Sequence, residues 1–152
     1  MKYGAKSALS SLMLCAALVT GCAPPPALSA NLCSLSQNPS HFGGREVELT
    51  TVVLVGAHGS VLVSEDCPDA ALRWDWASPE IGQSDEAQAL LRESRRTQFL
   101  ACQAPQISVV GRFRNRPRLL LIERITSMRV VPYSYDLPGV PNAECHEMGV
   151  RH

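Results

Sequence analysis

The sequence predicts a mainly β domain of five strands, with one helix between the third and the fourth. Three observations carry that expectation. Residues 45–55 alternate apolar and polar at period two in their first half and are rich in β-branched side chains, and residues 107–113 form another strand-like run. Residues 84–96 instead repeat their apolar positions at helical spacing. Turn-forming residues separate these runs, at Gly43-Gly44, Gly56 to Gly59 and Asn115-Arg116-Pro117.

The elements follow in chain order. Residues 1–21 start with Lys2 and Lys6, pass through an apolar run around Leu12 to Val19 and end in small residues, which is the order of a secretory signal. Ser7, Ser10 and Ser11 interrupt the run too soon for a transmembrane helix, which needs roughly 20 apolar residues. Residues 22–31 carry Pro24-Pro25-Pro26 and suit an extended tether that stands a domain off a surface. The domain itself is expected over 32–131. Leu32-Cys33-Ser34-Leu35 before Pro39 suggests a helical turn whose leucines face the body of the protein.

Residues 45–55 form the first strand, apolar on both faces in its second half. The chain turns at Gly56 to Gly59 and returns as a second strand over 60–64. Residues 72–76 make the third, with Leu72, Trp74 and Trp76 on one face and Arg73 and Asp75 on the other. Ser84 is a plausible N-cap, and Asp85 and Glu86 follow where the helix dipole favours acids. Ala87, Leu90, Leu91 and Ser94 then share one helical face. Pro105 closes this region, residues 107–113 form the fourth strand, and 119–131 form a long fifth. Residues 132–152, rich in proline and glycine, are expected to run over the surface as an irregular tail.

Val19-Thr20-Gly21-Cys22 ends the signal with a small residue directly before a cysteine, and so resembles the lipobox of bacterial lipoproteins. The resemblance implies that the Cys22 sulfur takes a diacylglyceryl group, that residues 1–21 are removed, and that the new amino terminus is acylated. In that family an aspartate after the cysteine favours the inner membrane; Ala23 here points to the outer membrane, with the domain facing the periplasm. The membrane is then the first expected partner. An anchor with several acyl chains is permanent, since two lipid signals already suffice.

Charge and cysteine usage fit that compartment. The chain has 14 basic and 14 acidic residues, and losing Lys2 and Lys6 leaves 12 basic residues, all arginine. So even a balance gives no general pull toward nucleic acid or an anionic membrane. Six cysteines less Cys15, which lies in the apolar run, and Cys22 leave Cys33, Cys67, Cys102 and Cys145. An even set in an oxidising compartment reads as two disulfides with three possible pairings. The expected pairs are Cys67 with Cys102, which flank the helical segment, and Cys33 with Cys145, which would tie the ends of the domain together.

Strand, strand, strand, helix, strand, strand is an order that resembles the OB-fold, a small five-stranded barrel. Small cysteine-containing envelope lipoproteins, most with no assigned activity, look similar. A β-sandwich or a split α+β sheet competes. A closed barrel would remove the exposed edges of such apolar strands.

The candidate ligand-binding residues are Arg112, Arg114, Arg116 and Arg118, at every second position around a turn. Strand geometry would put them on one face, and arginine binds phosphates and carboxylates bidentately. An anionic envelope ligand or an acidic envelope protein is the implied partner. The plainer reading is a solvated strand face that keeps an edge soluble. Trp74 and Trp76 suit a sugar-binding platform or, more simply, a core. His41, His58, His146 and His152 show no metal-ligand spacing, and no cofactor motif is present. Adjacent carboxylates such as Glu65-Asp66 diverge, and no Gly-x-Ser-x-Gly elbow occurs, so the chain reads as a non-enzyme. The compartment and the lack of stacking residues beside the arginines exclude nucleic acid. A periplasmic binding or assembly module is the expected function. An inhibitor of a lysozyme-type hydrolase is the alternative, weakened by the missing Ser-Gly-x-x-Tyr pattern and the absence of lysine after Lys6.

Overall fold

Alternation in the sequence becomes burial in the structure, a computed structural model that describes residues 25–56, 59–97 and 102–133. Strand β2 (Glu46–Gly56) buries Val47, Leu49, Thr51 and Val53 while Glu48 and Thr50 face solvent. Strand β3 (Gly59–Val63) returns beside it, pairing Val53 with Leu62. Strand β4 (Leu72–Trp76), helix α3 (Pro79–Gly82) and helix α4 (Asp85–Thr97) follow, then strands β5 (Gln103–Arg114) and β6 (Leu119–Pro132). Ser84 caps α4 by accepting from the Ala87 amide at 3.2 Å, and Ala87, Leu90 and Ser94 are buried, as the helical spacing implied.

The fold is mainly β, with a mixed six-stranded sheet rather than the five strands expected. The extra strand, β1, is Leu28–Ser29, inside the stretch read as tether. It runs parallel to β2, pairing Leu28 with Val47, and Ala30 N–H donates to Glu48 C=O at 2.9 Å. Leu28 packs on the core, and that burial outweighs the pull of the prolines before it toward free extended chain. The ordered domain therefore begins before residue 32. It also runs past 131, since Pro132 belongs to β6 and Tyr133 is buried.

The strand order is β1-β2-β3-β4-β6-β5, and β2 pairs with β5 as well. Strand β2 pairs along both edges: residues 46–52 pair with β5 on one and residues 52–56 with β3 on the other, the two ladders overlapping at Val52. Strands β4 and β6 are parallel. Strand β5 starts four residues before its expected position and so takes in Pro105. The missing proline N–H is tolerated because Pro105 pairs only with Val130, while pairing with β2 begins at Gln106.

Helix α1 (Leu32–Gln37) opens with an Asn31–Ser34 capping box and buries Leu32 and Leu35; helix α2 (Pro39–Phe42) buries Phe42. These side chains join Val47, Leu62, Ile107, Phe113 and Ile122 in the main core. A smaller cluster on the other side of β2 holds Val52, Ala104 and Tyr133.

The register of β5 against β6 shifts between Ser108 and Val109 and between Val110 and Gly111. A Cβ at Gly111 would strike the Leu121 carbonyl oxygen and stand 3.1 Å from the Ile122 Cα. Backbone cannot swing away as a side-chain tip can. Gly111→Ala is therefore expected to destabilise by about 1–3 kcal/mol, read from urea unfolding, and a variant as stable as the parent refutes this packing of β5 on β6.

The disulfide pairing differs from the expected one. Cys33 of α1 is joined to Cys67 in the β3–β4 loop, Cα–Cα 5.5 Å. Neither Cys67–Cys102 nor Cys33–Cys145 can then form. The helical turn places Cys33 over that loop, a proximity that position along the chain does not reveal. Cys102 is disulfide-bonded too. Cys145 and Cys22 lie outside the described residues, as do His58, His146 and His152.

Candidate functional site

The four arginines singled out in the sequence sit around the β5–β6 hairpin. Strand periodicity makes the exposure of Arg112 and Arg114 unavoidable. Phe113 turns inward and is fully buried, so Arg112 and Arg114 on either side of it turn out. The turn Asn115-Arg116-Pro117-Arg118 contains a cis Arg116–Pro117 peptide, and both of its arginines are exposed. Two backbone hydrogen bonds tie this end of β5 to the preceding Gly-Gly turn. Gly44 N–H donates to Phe113 C=O at 2.8 Å, and Phe113 N–H donates to Arg45 C=O at 3.1 Å.

Register across the sheet gives the local charge pattern. At the end nearest the turn, Arg73 of β4, Leu119 of β6 and Arg114 of β5 lie opposite one another. One step further along, the row reads Asp75, Leu121, Arg112 and Glu46. The first row is basic, and the second carries two acids to one base. Arg112 is engaged further: its Nε lies 3.3 Å from Glu123 Oε1, an exposed pair worth ~0–1 kcal/mol. Leu119 and Leu121 are half-buried, so apolar surface lies between the charges.

Arg112 and Arg118 line different cavities. Arg112 and Arg45 line a groove of about 360 Å³ with Pro25, Pro26, Leu28 and Glu46. Arg118 lies instead beside Leu32, Leu35 and Ala70, at the α1 side of the hairpin. The turn splays them, so this is a basic surface, not a fork closing on one small anion. Arg45 and Arg73 belong to it and were not singled out in the sequence. Period-two patterning marked Arg73 as outward-facing, but only strand pairing puts it beside Arg114.

Trp74 and Trp76 do share a face of β4, and both are half-buried against the core. Their rings meet edge to face, centroids 4.9 Å apart and planes at 82°. That geometry packs a core and presents no flat platform. The Trp74 Nε1 is buried with no hydrogen-bond partner among the described residues.

A second crevice, of about 310 Å³, opens where the two ladders of β2 overlap at Val52, lined by Thr50, Ser64, Glu65, Asp66, Gln106 and Tyr133 among others. Burial raises the Tyr133 phenol above its ordinary value, and the nearby Glu65 charge adds to the effect. Sequence reasoning missed this crevice because Tyr133 fell in the supposed tail. Among the described residues, no group of three or more His, Cys, Asp or Glu could hold a metal ion. None of their helices is long and apolar enough to cross a membrane. Compared with protein-family models, curated proteins and solved structures, the chain matches none.

Proposed function

We propose that the protein is an outer-membrane lipoprotein, anchored through Cys22, whose OB-like barrel serves as a non-enzymatic binding or assembly module of the periplasmic envelope. The barrel reading is supported by pairings that run β2–β3–β4–β6–β5 and return to β2, with β4 parallel to β6 and α4 between β4 and β5. The anchor reading is supported by the order of Lys2, Lys6, the apolar run and Val19-Thr20-Gly21-Cys22.

One observation carries the choice of working surface. Arg45, Arg73, Arg112, Arg114, Arg116 and Arg118 are all exposed at one end, and among the described residues Arg112 is the one of them that shows a carboxylate partner in an ion pair. Such a surface suits an anionic envelope ligand or an acidic envelope protein. A photo-crosslinking residue in place of Arg114 or Arg116, in intact cells, is expected to trap an envelope component. The same residue at Arg92 on α4 should not. Equal, background-level trapping at both places sinks the role of the hairpin.

A further inference from the structure

We infer that the arginine end of the domain lies flat on the phospholipid surface that carries the anchor, with its guanidinium groups on lipid phosphates. This rests on the anchor reading above and gives its binding surface an occupant.

The direction of the chain is the first argument. Because β1 is parallel to β2 with Leu28 opposite Val47, the residues before Leu28 run toward Glu46 and Arg45, the hairpin end. Pro25 and Pro26 lie there, in the groove with Arg45 and Arg112. From Pro25 back to Cys22 is three residue steps, which span ~10 Å even when fully extended. The Debye length at physiological ionic strength is about 8 Å. An acylated Cys22 therefore keeps Pro25 within about 10 Å of the surface, comparable to that length, and turns the arginine end rather than the Gln103 end of β5 toward it.

The composition of that end is the second argument. Toward the turn the outward row is Arg73, Leu119, Arg114, continued by Arg116 and Arg118; the acids Asp75 and Glu46 stand one row back, and Glu123 lies further along β6. Half-buried Leu119 and Leu121 lie between the cations. Interleaved arginine and leucine match a headgroup layer, which offers phosphates at one depth and acyl chain just beneath. A free phosphate would need the arginines to converge, and they splay.

Residue-resolved arginine modification of the full-length, cell-derived protein tests this. Phenylglyoxal labelling, read by peptide mass spectrometry, is compared in phosphatidylglycerol-containing vesicles, in pure phosphatidylcholine vesicles and in detergent with added inorganic phosphate. Labelling of Arg114, Arg116 and Arg118 is expected to fall at least five-fold in the phosphatidylglycerol vesicles alone, and to recover at high salt. That matches the loss of access expected of cations held at an anionic surface. Arg92 and Arg95, exposed on α4, should label equally throughout. Labelling of the hairpin that stays equal to that of α4 overturns the inference, as does equal protection by free phosphate. The mass of the N-terminal peptide separates the two claims. Unmodified Cys22 overturns both, whereas acylated Cys22 with reactive hairpin arginines overturns only this one.

Discussion

Replacing Phe113 by alanine should cost about 3–5 kcal/mol, the largest loss expected of any single truncation in the domain. Phe113 is completely buried and is the largest of the fully buried side chains. It stands opposite Leu120 across the β5–β6 ladder, and its own backbone holds the Gly44–Arg45 turn through two hydrogen bonds. The core around it comes from α1, β2 and β6, so no single element can move in to fill the space. Most small domains have about 5–15 kcal/mol of stability in total, and the loss takes a large part of it. Urea unfolding should show the midpoint falling with little change in slope. Arg114→Ala, one residue away and exposed, should stay within about 0.5 kcal/mol. A Phe113→Ala loss below 1 kcal/mol contradicts its place in the core.

Removing the Cys33–Cys67 bond, by changing both cysteines to serine, should destabilise by about 3–4 kcal/mol in the chain-entropy model for its separation of 34 residues. The bond fastens α1 to the β3–β4 loop, so its loss frees the N-terminal segment more than the strands. Hydrogen exchange should accordingly rise first in residues 32–42 and 64–70, while the β5–β6 amides change last. Uniform acceleration through all strands argues against that local role. Non-reducing peptide mapping of the parent should recover Cys33 joined to Cys67. It should also recover Cys102 joined to Cys145, the one cysteine left of the four expected to pair. A Cys67–Cys102 peptide refutes the connectivity.

Much of the β domain was legible in the chain. Val47, Leu49 and Val53 alternate with exposed Glu48 and Thr50, and one side of β2 is buried in that pattern. Ser84 and the Ala87–Leu90–Ser94 face located α4 because cap chemistry and helical period are local properties. Strand β1 was not legible. Two residues after a proline run have no period of their own, and Leu28 is ordered by its contact with the core. Pro105 looked like a stop signal, and whether it ends a strand depends on which edge is paired.

The candidate site divides along the same line. Four arginines at alternate positions could be counted in the sequence, and the burial of Phe113 made the exposure of Arg112 and Arg114 follow. Arg73 and Arg45 join them only through pairing between residues distant in the chain, and Glu123 engages Arg112 across the ladder by the same route. Disulfide partners were equally out of reach, because separation along the chain says nothing of which cysteines a turn and a loop bring to 5.5 Å.

What the sequence determined by itself is what nearest neighbours along the chain can specify: period, caps, turns and the apolar segment ending at Cys22. Tertiary structure decided which strand lies beside which, where the N-terminal segment enters the sheet, and which charges share a surface. The reason is physical. Local preferences act over a few residues, whereas these contacts join segments tens of residues apart and form only when burying a common core offsets the entropy of closing the loops between them.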